Sequence, residues 1–112
     1  MLMTNIFTNA VVFLNKKTKV NINEILFLEG NVNYTIVHFR EKNPLMIAIT
    51  LKKAESLLKE HGFVRIHKSF ILNLHYADQS LMTNNEVLFQ KNIAIKVSRR
   101  KRNELKERLS AA

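Results

Sequence analysis

At 112 residues and 13.1 kDa the chain has the size of one domain, and 46% hydrophobic residues suffice for a core, which excludes wholesale disorder. Eighteen Lys and Arg against nine Asp and Glu give a formal charge of +9 and a pI near 10.1; such an excess calls for nucleic acid, an acidic membrane surface or an acidic protein as partner. The absence of cysteine excludes disulfides, cysteine chemistry and a Cys-ligated zinc finger, and no apolar run approaches the roughly eighteen residues that span a bilayer.

Residues 1–9 have mixed polarity and no period, and read as a stub or linker ahead of a domain at 10–112. They lack the basic and apolar regions of a signal peptide, so a soluble cytoplasmic protein is expected. Ala10 to Leu14 reads as a short strand, Lys16 to Lys19 as a polar turn, and Val20 to Ile22 as a second strand. Ile25 to Leu28 is four apolar residues in a row, which suggests a strand buried on both faces. Gly30–Asn31–Val32–Asn33 is then a turn, with Gly and Asn as the candidates for positive φ, before a β-branched and aromatic strand from Tyr34 to Phe39. A turn at Arg40 to Pro44 leads to a strand at Leu45 to Ile49.

Thr50 is placed to cap a helix over Leu51 to His61. Leu51, Ala54, Leu57 and Leu58 share one face, Glu55 and Lys59 form an i,i+4 pair, and Gly62 ends the helix. The charges of this helix nearly cancel, and its role reads as structural.

Next comes Phe63–Val64–Arg65–Ile66–His67–Lys68–Ser69–Phe70–Ile71–Leu72–Asn73, two apolar strand segments broken by a polar knuckle. A Lys and a Ser in the middle of a buried run must reach the surface or find partners, so a kink or tight crossover is expected to push Lys68 outward. His67 reads as a polar residue bonded to backbone in preference to a direct ligand contact. Asn73 to Asn85 is the least legible segment, with a candidate strand at Gln79 to Thr83 and a turn at Asn84–Asn85. Val87 to Phe89, a turn at Lys91–Asn92 and Ile93 to Val97 complete the strands, with Ile93, Ile95 and Val97 on one face. Ser98 caps a last helix from Arg99 to about Ser110, anchored by Leu105 and Leu109.

That last helix carries the clearest chemical signal. Arg99, Arg100, Lys101 and Arg102 fill its first turn, where the macrodipole disfavours cations by a few tenths of a kcal/mol each. Free backbone N–H groups at the same place suit a phosphate, so the arrangement costs stability alone and gains it from an anion. No such case exists for catalysis or metal binding. His67, Ser69 and Asp78 lack a nucleophile elbow or oxyanion hole, the four histidines lack the spacing of a helical metal motif, and no P-loop or dinucleotide fingerprint occurs. No cofactor is expected.

Three blocks in register, Ile25–Leu26–Phe27–Leu28–Glu29–Gly30–Asn31, the stretch Phe63 to Asn73, and Ile95–Lys96–Val97–Ser98–Arg99–Arg100, resemble the LytTR family of DNA-binding domains over roughly Ile22 to Leu109. The resemblance implies a mainly β fold with two helices: an elongated arrangement of short antiparallel sheets, one helix between strands and one at the C-terminus. It implies a bacterial transcription regulator that binds double-stranded DNA sequence-specifically through loops and strand ends, stand-alone or as the output domain of a two-component response regulator. By that resemblance Lys68 and Arg99 meet base edges, while Arg65, Ser69, Arg100 and Lys101 meet phosphates. Asn31, Asn33 and Tyr34 lie in the remaining contact loop, with base and phosphate both open for Asn33 and Tyr34. Many family members carry Arg where this chain has Lys68; lysine lacks the bidentate fork, so base discrimination there is expected to be softer. Homodimerisation on paired sites and a receiver or sensor domain outside this chain also follow from the resemblance. The competing reading is a small basic β-domain that binds RNA or an acidic protein. Exposed aromatics on a sheet would favour it, but most Phe residues lie inside apolar runs.

Overall fold

Short apolar runs separated by polar turns fold as hairpins, and the pairing of those hairpins sets the architecture. The computed structural model describes residues 11–76, 86–89 and 93–111. Among them the strands are β1 (Val11–Phe13), β2 (Lys19–Asn21), β3 (Ile25–Asn31), β4 (Tyr34–Phe39), β5 (Leu45–Ile47), β6 (Phe63–His67), β7 (Phe70–Asn73), β8 (Glu86–Phe89) and β9 (Ile93–Lys96). The α-helices are α1 (Leu51–Leu58) and α2 (Arg99–Ala111), with 3-10 turns at Ile22–Glu24, Lys59–His61 and Leu74–Tyr76. A central five-stranded sheet has the order β5-β4-β3-β7-β6, and β1–β2 and β8–β9 form separate two-stranded sheets. All these pairs are antiparallel, so the fold is mainly β with two helices, as the sequence suggested.

The central sheet is covered on both faces, which explains the unbroken apolar run at Ile25 to Leu28. On one face Ile25, Leu28, Val37, Phe63 and Ile71 pack with Leu51, Ala54 and Leu58 of α1 and with Leu14 and Val20 from the β1–β2 hairpin. On the other, Leu26, Phe27, Val64, Ile66 and Leu72 pack with Ile95, Val97 and Leu105. Leu26 and Phe27 are neighbours in sequence yet share the second core, because the β3–β4 register shifts between Ile25 and Phe27. Such a bulge re-aims a side chain without ending the strand.

Buried polar groups tie the sheet to its flanks. Asn73 is 5% exposed; its amide donates to the carbonyls of Ile22 (3.3 Å) and Ile25 (2.8 Å), and its Oδ1 accepts from His75 N–H (3.0 Å). The Thr35 hydroxyl, fully buried in β4, donates to the carbonyl of Ile49 at 2.8 Å and so holds the chain that enters α1. Thr50 then accepts from Lys53 N–H at 3.1 Å, the N-cap that its position suggested.

Several boundaries and contacts differ from the sequence reading. The helix expected over Leu51 to His61 is α-helical only to Leu58 and tightens to 3-10 over Lys59–His61 before Gly62 turns left-handed at φ 85°. Glu55 pairs with Arg65 at 3.3 Å instead of with Lys59, because β6 brings a guanidinium alongside α1. β5 stops at Ile47, and Ile22 belongs to a 3-10 turn, not to β2. In the β3–β4 turn the positive φ falls on Val32 (57°), not on Gly30 or an Asn. Gly30 instead allows close packing: a Cβ there would lie 3.1 Å from Leu51 Cδ2. The expected strand at Gln79 to Thr83, the turns at Asn84–Asn85 and Lys91–Asn92, and the side chains of Ile93 and Leu109 lie outside the described residues.

Candidate nucleic-acid interface

The knuckle at Lys68 and Ser69 is the two-residue tip of the β6–β7 hairpin. Its backbone is held by side chains on both sides. Arg65 clamps it from below: Nη2 donates to the Lys68 carbonyl at 2.6 Å, Nε to the His67 carbonyl at 3.3 Å, and Nη1 to Glu55 on α1 at 3.3 Å. His67 closes the turn by accepting the Ser69 N–H on Nδ1 at 3.1 Å, so its neutral ring carries the proton on Nε2. Lys68 itself is exposed. A rigid turn with a free ammonium is what results.

The start of α2 is brought to this turn by a backbone contact. The β6–β7 register shifts between Arg65 and His67, and the intervening Ile66 uses its carbonyl to accept Ser98 N–H at 2.8 Å. Below that contact Val97, Ile95 and Leu105 pack on Ile66 and Val64. Arg99, Arg100 and Lys101 follow at once, with Lys101 N–H bonded to the Ser98 carbonyl at 3.0 Å. Arg99 and Arg100 are exposed, and Lys101 pairs with Glu104 at 3.3 Å.

Arg65, Lys68, Arg99, Arg100 and Lys101 therefore line one open cleft of about 610 Å³, although Lys68 and Arg99 lie far apart in sequence. Among the described residues the only acid on its wall is Glu55, whose carboxylate is paired with Arg65. Arg65 and Lys101 have acidic partners, but Lys68, Arg99 and Arg100 have none among the described residues, and a polyanion relieves the repulsion among these three.

The remaining loop sits beside the cleft and not in its wall. Gly30 N–H donates to the Ser69 carbonyl at 2.8 Å, which places the β3–β4 tip next to the β6–β7 tip at the same end of the sheet. Asn31, Asn33 and Tyr34 are all exposed there, while Ser69 is half-buried. All nine residues singled out from the sequence thus gather at one end of the central sheet. Two further residues shape the site: Glu55, which reads in the sequence as a helix-surface charge paired with Lys59, and Ile66, whose role is its backbone carbonyl. Neither leaves a local signal in the sequence.

Among the described residues no cluster of His, Asp and Glu is arranged to hold a metal ion, and no helix is long and apolar enough to cross a membrane. The family model of the LytTr DNA-binding domain matches residues 15–110. Among solved structures, the LytTr DNA-binding domain of a Bacillus cereus protein described as a methyl-accepting/DNA response regulator is similar, with a TM-score of 0.69 at 21% identity over 90% of this chain and 97% of that one. A search of curated proteins finds no match. With a match that runs through both hairpin tips and the start of α2, the chain belongs to the LytTR family of DNA-binding domains.

Proposed function

We infer that this domain binds double-stranded DNA sequence-specifically and serves as the DNA-reading part of a bacterial transcription regulator in the cytoplasm. The observation that carries the reading is the convergence of Lys68 and Arg99 on one cationic cleft. In this reading Lys68 and Arg99 reach guanine O6 or N7 from the major groove. Arg100, Lys101 and the Ser69 hydroxyl engage phosphates and fix register. Arg65 has five N–H donors, three of them engaged within the fold, so it braces the turn and keeps two for a phosphate. Asn31, Asn33 and Tyr34 contact the duplex from the neighbouring tip.

The dimensions suit a duplex. From β4 to β6 there are three strand spacings, about 15 Å, and the residue before α2 is bonded to β6. That span exceeds one major groove of about 12 Å, so tips and helix start reach the groove and its flanking phosphates together. Domains of this kind are often output halves of response regulators and tend to occupy paired sites; dimerisation on DNA is inferred here, with the domain either stand-alone or joined to a receiver.

Selection of bound duplexes from a random pool, followed by gel-shift competition with single-stranded DNA and RNA, tests the proposal. A defined duplex motif that outcompetes both single strands supports it. For about four to seven phosphate contacts, log affinity falls with log salt at a slope of roughly −4 to −6. Equal competition by RNA or single strands, with no motif enriched, contradicts it.

A further inference from the structure

The tip of the β3–β4 hairpin carries a side chain that the fold itself does not use. Val32 is the one described non-glycine residue with positive φ, at 57°, and it is 88% exposed. Positive φ at the first central position of a two-residue hairpin loop is the type II′ pattern, which Gly adopts freely and a β-branched residue adopts only under strain. Val32 gains no burial in exchange. An apolar group held in a strained turn and pointed at solvent has its use outside the domain. The tip lies against the Ser69 carbonyl, beside Lys68, at the end of the sheet that faces DNA in the reading above.

The chemistry of the tip differs from that of the cleft. Asn31, Val32, Asn33 and Tyr34 offer two amides, an apolar knob and a phenol, with no charge. In the major groove, Asn side chains match adenine N6 and N7, and thymine alone presents an apolar group, its 5-methyl. We propose that Val32 is a specificity-determining residue that packs on the 5-methyl group of a thymine, so that this tip reads an A·T-containing stretch beside the bases read by Lys68 and Arg99. The inference rests on the duplex-binding reading and adds to it a base class and a residue.

Replacing each thymine of a pool-selected duplex in turn by deoxyuridine removes the methyl and nothing else. With the 112-residue chain, one such replacement weakens binding about fourfold, the effect of removing one buried methyl-sized group. Val32→Gly and Val32→Asn both tolerate positive φ; each binds the unmodified duplex several-fold more weakly, becomes indifferent to that replacement, and melts no lower than the parent chain. Absence of any methyl-sensitive thymine, or sensitivity that persists in both variants, overturns the inference. Lys68→Ala on the same duplexes separates the two levels. If it leaves site discrimination intact, the underlying reading is wrong; if Lys68→Ala behaves as described while the Val32 variants stay methyl-sensitive, only the thymine contact falls.

Discussion

Two hairpin tips stand side by side at one end of the central sheet, and they are built in opposite ways. The β6–β7 tip is cationic and clamped: Arg65 holds two of its carbonyls and His67 holds its Ser69 N–H. The β3–β4 tip is uncharged, and a backbone bond from Gly30 N–H to the Ser69 carbonyl joins it to its neighbour. The clamped tip fixes the backbone that carries Lys68, which lowers the entropic cost of placing its ammonium in a contact. The uncharged tip contributes shape and amide chemistry, and carries its strain at Val32. On the proposed reading, the contrast teaches that charge alone does not mark the interface; what surrounds each turn decides how its tip reads.

The largest effects are expected from the residues that the clamp and the α2 pin hold in place. Lys68→Ala and Arg99→Ala each lose roughly 1–3 kcal/mol of discrimination between selected and random duplex in gel-shift titrations. Equal losses on both duplexes would make them phosphate contacts. Next is the clamp. Arg65→Lys keeps the charge but loses the fork that bridges two carbonyls, and should cost about 1–2 kcal/mol in urea unfolding and in selected-duplex affinity together. Retention of both would show that the clamp is dispensable.

On the other tip the sign reverses. Val32→Gly relieves the left-handed strain and should stabilise the domain by about 1 kcal/mol, read as a higher Tm in thermal melts. A lower Tm would mean that Val32 supports the fold after all. The smallest effect is that of Lys101→Ala, whose charge sits just inside α2 and pairs with Glu104. It should weaken all duplexes alike and reduce the salt slope by about one unit; a loss confined to the selected duplex would move Lys101 to a base.

Much of this arrangement is readable from local sequence. The polar break between two apolar runs marks the β6–β7 tip, Thr50 and Gly62 delimit α1 with its 3-10 end, and the cations after Ser98 mark a helix start unsuited to standing alone. Turn chemistry was harder to read, because Gly30 looks like the residue for positive φ and is needed instead for the approach of Leu51. Val32 has no sequence feature that announces a left-handed turn. Tertiary partners are also invisible at short range: Lys59 is the obvious partner of Glu55 along the helix, and Arg65 takes that place because β6 lies alongside α1. The cleft itself follows from the Ser98 to Ile66 backbone bond, which no side-chain pattern encodes.

Base-by-base substitution of the selected duplex, titrated against the parent chain, Lys68→Ala and Arg99→Ala, addresses the convergence of these two side chains most directly. Because they share one cleft, each variant should become indifferent to a different base pair, and the two pairs should lie within about one major-groove width, roughly four base pairs at 3.4 Å each. Variants that keep the full base preference of the parent chain, or indifference at pairs a helical turn or more apart, would contradict a common reading surface.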